Sequence, residues 1–172
     1  IDVPLCRSAG IEVCNVPGYS TRSVAQHAFT LLLANAFDLE AYRDMVREGK
    51  WTGIPGFCYQ NSRFVELAGK TVGVYGCGAI GMKFAEICKA FDMRVLATKR
   101  SKISGSENGI EFTTPEELIA KSDYISFHCP LTDETRGMVD RRFISKMKDG
   151  AVLINTSRGA VFNESDVADA LK

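Results

Sequence analysis

An excess of charge of either sign is what this 172-residue chain most plainly lacks: 21 lysines and arginines balance 21 aspartates and glutamates. That argues against capture of nucleic acid or of an anionic membrane surface by bulk electrostatics. Long apolar runs are missing too. The longest, Phe29 to Ala36, is broken by polar residues at helical spacing and falls well short of the ~20 residues that span a bilayer. The six cysteines, at 6, 14, 58, 77, 88 and 129, form no CxxC pair, and neither histidine stands at a zinc-ligand spacing from them, so no metal site is expected. Cys88 and others sit inside apolar runs and read as small buried hydrophobes, which fits a reduced, cytoplasmic setting. What is present is 45% apolar residues, enough for the core of one domain.

The pattern divides the chain into three parts. Residues 1–20 hold two short turn-rich pieces, Ala9–Val13 and Val16–Tyr19. From Thr21 to about Glu48, the recurrence of Val24, Ala28, Leu31, Leu32, Asn35, Leu39, Tyr42 and Val46 predicts one long helix, stopped at Gly49. Residues 50–66 are irregular but rich in aromatics (Trp51, Phe57, Tyr59, Phe64), as expected of an arm lying against another surface. From Leu67 onward, apolar β-branched runs alternate with amphipathic ones. Strands are predicted at Thr71–Tyr75, Arg94–Thr98, Ile110–Phe112, Tyr124–His128 and Ala151–Thr156. Helices are predicted over Ala79–Phe91, from Pro115 behind an N-cap at Thr114 with Glu117 completing a capping box, over Asp140–Met147, and after Asn163. The residues from Lys102 to Gly109 read as a loop. This alternation means an α/β fold, a doubly wound parallel sheet of about five strands.

The first predicted strand runs into Gly76-Cys77-Gly78-Ala79-Ile80-Gly81, a Gly-x-Gly-x-x-Gly turn that opens a helix. Gly76 permits the tight turn, Gly78 lets the backbone approach a pyrophosphate, and Gly81 lets helix and strand pack closely. The N–H groups of the first helical turn and the positive end of its dipole then face the anion. A Rossmann-type dinucleotide site is the expectation. The acid that normally follows about 20 residues on, to hold the ribose hydroxyls, is missing; the second strand ends in Lys99-Arg100. Two basic residues can pair with a 2′-phosphate, so NADP(H) is favoured over NAD(H). Two further segments should lie at strand ends beside the glycine turn: His128-Cys129-Pro130-Leu131-Thr132 and Asn155-Thr156-Ser157-Arg158-Gly159.

Taken with Asn15-Val16-Pro17-Gly18-Tyr19-Ser20-Thr21 and Glu134-Thr135, these segments resemble the D-isomer-specific 2-hydroxyacid dehydrogenases across nearly the whole chain. Val24-Ala25-Gln26-His27, Trp51 and Phe57-Cys58-Tyr59 are similar to the glycerate dehydrogenase and hydroxypyruvate reductase branch. The resemblance implies that Arg158 binds the carboxylate of a small 2-oxo or 2-hydroxy acid and polarises its carbonyl. It implies cofactor contacts from His128, Cys129, Pro130, Thr135, Thr156 and Ser157, and a homodimer formed through the cofactor domain and the long helix. The family's general acid/base, a histidine tuned by a glutamate, lies downstream of the arginine motif. Neither His27 nor His128 is expected to replace it. The chain opens on Ile1 and ends within a helical pattern at Lys172, so a piece of a longer protein is expected. On that expectation 1–20 is a remnant of the substrate domain, 21–66 a hinge helix and arm, and 67–172 the dinucleotide-binding domain with an open sheet edge that favours self-association. The competing expectation is a dinucleotide-binding module without turnover.

Overall fold

The computed structural model describes residues 1–54, 56, 64–100 and 104–172. The chain begins with a short helix, α1 (Val3–Ser8), followed by α2 (Thr21–Ala36) and α3 (Leu39–Arg47). Strands and helices then alternate: β1 (Thr71–Tyr75), α4 (Ala79–Ala90), β2 (Arg94–Thr98), β3 (Gly105–Glu107), β4 (Ile110–Phe112) and α5 (Pro115–Lys121). β5 (Tyr124–Phe127), α6 (Arg141–Ile144) and β6 (Val152–Asn155) complete the pattern, and α7 (Glu164–Ala170) follows a 3-10 turn at Gly159–Val161.

Three departures from the sequence reading have local causes. The helix expected over 21–48 is two helices. Phe37 turns extended (φ −137°, ψ 119°) and bridges to Phe64, and Asp38 accepts from the Ala41 amide at 3.0 Å to start α3; such a cap stabilises a helix start by about 1 kcal/mol. The buried stripe of α2 is Ala25, Ala28, Phe29, Leu32 and Ala36, while Leu31 and Leu33 face outward. The segment read as a loop before Ile110 contains β3, paired antiparallel with β4 through Asn108-Gly109, both at positive φ. Asn-Gly is the preferred dipeptide of a two-residue hairpin, so the signal was present in the sequence. Thr114 caps α5 by accepting from the Glu117 amide at 3.2 Å, but the Glu117 carboxylate engages Thr113 and Lys121 rather than closing the box. Of the aromatic arm, Pro55, Phe57, Cys58 and Tyr59 lie outside the described residues; Trp51 and Phe64 are exposed.

The sheet has six strands in the order β3-β4-β2-β1-β5-β6, all parallel except β3. Side chains alternate between its two faces, and each face carries its own core. Val72 and Val74 of β1, Val95 and Ala97 of β2, and Ile154 of β6 pack with α2 and α4, around Phe29, Leu32, Phe84 and Cys88. Leu96, Ile125 and Phe127 point the other way, to Leu118 and Ile119 of α5 and Phe143 of α6. Gly73 sits at the centre of this second face, where a Cβ would stand 2.6 Å from the Leu118 side chain and 2.5 Å from the Ser122 hydroxyl. Its lack of a side chain is what lets α5 lie so close to β1. From β1 the chain crosses to β2 on one side and later to β5 on the other. This makes the carboxyl ends of β1 and β5 the switch point at which such sheets bind ligands.

Candidate functional site

The glycine turn is held by its neighbour strand. Thr98, the last residue of β2, accepts from the Gly76 amide through its hydroxyl (3.2 Å) and from the Cys77 amide through its carbonyl (2.8 Å). Gly76 has φ +93°, and a Cβ there would lie 2.7 Å from the backbone nitrogen of Cys129. The turns after β1 and β5 thus touch, and only glycine satisfies both the dihedral and the approach. Gly81 is equally constrained: a Cβ would meet the Gly76 carbonyl oxygen at 2.6 Å. Gly78, by contrast, faces open space and is the N-cap of α4 without a side chain to cap it. The first-turn amides of Ala79, Ile80 and Gly81 have no acceptor within the helix. An anion above Gly78 would meet those amides and the positive end of a 12-residue helix.

Beyond these strand ends lies a cavity of about 470 Å³. The sequence-predicted residues Gly76, Gly78, Lys99, Arg100, His128, Cys129, Pro130 and Thr135 line it. Ala79, Ile80 and Gly81 adjoin it in the first turn of α4. Tyr75, Cys77, Thr98, Thr113, Pro115, Thr132, Glu134 and Met138, which were not singled out as site residues, line it as well. Thr98, Thr113 and Pro115 follow from a rule that sequence reading did apply elsewhere, that ligands gather at carboxyl strand ends. Glu134 lies on the same loop after β5 as Pro130 and Thr135, and in the sequence it stood only as part of the Glu134-Thr135 pair that carries the family resemblance.

Individual groups divide into those already engaged and those still open. His128 extends β5 by donating its amide to the Tyr75 carbonyl, and its Nε2 lies 2.9 Å from the Ser126 hydroxyl with its ring against Phe84. Burial holds the imidazole down to about 4, so it is neutral at physiological pH. The Thr135 hydroxyl donates to the Pro130 carbonyl (2.7 Å) and accepts from the Thr132 amide (2.8 Å); it folds the loop. Burial pushes the Cys77 and Cys129 thiols up, which makes them packing groups and poor nucleophiles. Arg100 and Glu134 form an ion pair between the two walls of the cavity.

Thr156, Ser157 and Arg158 follow β6, beside the β5 end, but are not among the residues lining the cavity. Asn155 organises this turn, its Oδ1 accepting from the Ser157 amide (3.0 Å) and hydroxyl (2.8 Å) and its Nδ2 donating to the Arg158 carbonyl (2.9 Å). The Arg158 guanidinium is exposed and rests on the Ser157 carbonyl at 2.9 Å; among the described residues no carboxylate pairs with it. The Thr156 hydroxyl oxygen is buried without a hydrogen-bond partner. An uncapped helix start, an orphaned buried hydroxyl and an open approach at Gly78 are features that a bound dinucleotide would satisfy. Among the described residues, no cluster of His, Cys, Asp or Glu could hold a metal ion, and no helix is long and apolar enough to cross a membrane.

A doubly wound parallel sheet with a glycine turn at its switch point defines a Rossmann-type dinucleotide-binding domain. Residues 29–172 match the family model described as D-isomer specific 2-hydroxyacid dehydrogenase, NAD binding domain, and the chain belongs to that family. It is 40% identical over 172 residues to a hydroxypyruvate reductase of Blautia hydrogenotrophica, covering 99% of this chain and 53% of that protein. Among solved structures it is similar to D-lactate dehydrogenase from Aquifex aeolicus complexed with NAD and lactic acid (TM-score 0.81, 35% identity, 99% of this chain and 50% of that one). It is also similar to the acyclic imino acid reductase Bsp5 in complex with NADPH and D-Arg (TM-score 0.82, 36% identity, 99% of this chain and 53% of that one). The chain spans 53% of that hydroxypyruvate reductase's length and 32% of a similar D-3-phosphoglycerate dehydrogenase of Archaeoglobus fulgidus, so between about a third and about half of the curated relatives it matches.

Proposed function

We propose that this chain is the cofactor-binding half of an NAD(P)-dependent oxidoreductase acting on the CH–OH group of a D-2-hydroxy acid, with hydroxypyruvate or glyoxylate as candidate 2-oxo acids. The observation that carries the reading is the glycine turn locked against Thr98 and Cys129, with open first-turn amides above it and, at a neighbouring strand end, Arg158 paired with no carboxylate among the described residues. When bound, the nicotinamide exchanges a hydride with the substrate's C2. Residues Gly76 to Gly81 hold the pyrophosphate through backbone amides, and Lys99 and Arg100 face the adenosine ribose, with NADP(H) preferred over NAD(H). Thr156 and Ser157 bound the nicotinamide side. Arg158 takes the substrate carboxylate in a bidentate pair and draws charge toward the carbonyl oxygen.

Hydride transfer also requires a proton at that oxygen. His128 is half-buried, neutral and bonded to Ser126, and His27 is exposed on α2, so neither is assigned that step. The domain limits follow the same reading: 21–66 as hinge helix and arm, 67–172 as cofactor domain. We further propose a homodimer. The exposed Leu33, Leu39, Phe64 and Phe91 line a groove of about 690 Å³ beside α2 and α3, an apolar face of the kind subunit contacts cover. The reduced cysteines among the described residues fit a cytoplasmic setting.

Titrating the 172-residue chain with NADPH and NADH by fluorescence tests the cofactor assignment; saturable binding is expected, and no binding of either overturns it. In the protein that contains this chain, Arg158→Lys should cut kcat/KM for the 2-oxo acid by about a hundredfold while leaving dinucleotide affinity within twofold.

A further inference from the structure

The second strand lacks the acid that normally reads the ribose, yet an acid from another loop lines the same cavity. Glu134, on the loop after β5, lines the same cavity as Lys99 and Arg100 and is ion-paired with Arg100. The pair joins the two walls: Arg100 follows β2, whose last residue Thr98 holds the glycine turn, and Glu134 lies in the loop that Thr132 and Thr135 fold by their mutual hydrogen bonds. We propose that Glu134 is a specificity-determining residue for the dinucleotide, opposing a 2′-phosphate by holding Arg100 and by its own charge. The inference rests on the dinucleotide reading above and deepens it.

The chemistry is a competition for one guanidinium. A 2′-phosphate carries nearly two negative charges and three acceptor oxygens, a better partner for arginine than a carboxylate. To recruit Arg100 it must displace Glu134, which then stands unpaired beside a like charge. A ribose 2′-hydroxyl makes no such demand, and the Arg100–Glu134 pair can remain in place. Both side chains are largely exposed, so solvent moderates the repulsion and the pair is readily exchanged. The selectivity of this cavity therefore comes from three charges together, Lys99, Arg100 and Glu134, and the preference for NADP(H) that the two basic residues create is reduced by the third.

The test compares NADPH and NADH affinity, by fluorescence titration, in the wild-type chain, Glu134→Gln, Arg100→Gln and the double variant. Removing the Glu134 charge should tighten NADPH about fivefold and move NADH by less than twofold. In the Arg100→Gln background, the gain from Glu134→Gln should fall to about half or less, because the guanidinium it releases is gone. Equal shifts for both dinucleotides, no shift, or a full gain that persists without Arg100 would overturn the inference. Failure of the wild-type chain and every variant to bind either dinucleotide would instead overturn the reading on which it rests.

Discussion

The two ends of the parallel sheet solve opposite problems with the same backbone. At the amino ends, polar groups are matched. Asp123 accepts from the Thr71 amide at 2.7 Å and from the Lys148 ammonium at 2.9 Å, tying the starts of β1 and β5 to the segment before β6. Arg94, at the start of β2, makes a two-point pair with Glu111 of β4 (3.0 and 2.7 Å). At the carboxyl ends, the turns are built from glycine, helix amides stay open, and a buried hydroxyl has no partner. The difference shows where this fold places stability and where it places binding: the matched end clamps the strands so that the open end can keep unsatisfied groups in register.

Substitutions at the two ends should therefore separate binding from stability. The largest effect is expected for Gly76→Ala, which forces a side chain into φ +93° and to 2.7 Å from the Cys129 nitrogen. It should abolish measurable dinucleotide binding and cost roughly 2–4 kcal/mol in chemical denaturation; retained affinity would break the assignment of the open end. His128 supplies the next. Its folded pKa, about 4, lies below the ordinary value of 6.5, so the native state binds the proton more weakly than the unfolded chain does. The stability this contributes is complete above pH about 6.5 and is lost as pH falls toward about 4, by up to roughly 3 kcal/mol. Denaturation midpoints measured across that window should fall in the wild type and fall less steeply in His128→Asn.

At the matched end the effects are smaller and leave binding alone. Burial by itself would raise the Asp123 carboxyl, but the Thr71 amide and Lys148 outweigh it and hold the group below its usual value. Its contribution is accordingly present above the unfolded carboxylate pKa and is lost as pH falls through the lowered folded value. Asp123→Asn should cost about 1–2 kcal/mol at neutral pH, flatten the acid limb of the stability profile, and leave NADPH affinity unchanged. Arg94→Gln is the smallest, because solvent screens this half-exposed ion pair; a thermal melt in low and high salt would show the loss shrinking as salt rises. A large loss of cofactor affinity in either variant would show that the two ends are coupled.

Much of the open end was readable in advance because its signals are local. The strands around Val72, Leu96 and Ile125 are short apolar runs bounded by turn residues, and the glycine spacing at 76, 78 and 81 reports a backbone requirement that neighbours in sequence impose. The matched end was not readable. Nothing near Asp123 announces that its carboxylate will meet Thr71 and Lys148, which arrive on other segments.

By itself, then, the sequence determined the alternation of strands and helices, the glycine turn and the family to which the chain belongs. These depend on periodicity and turn chemistry within a dozen residues, where local sterics and hydrogen bonding decide the outcome. Tertiary structure supplied Phe64 as the bridging partner where the long helix breaks at Phe37, next to the local Asp38 cap, and decided which stripe of α2 is buried. It also decided that Glu134 meets Arg100 across the cavity. Those outcomes turn on which distant segments come into contact, and packing of the sheet between its two layers of helices sets that.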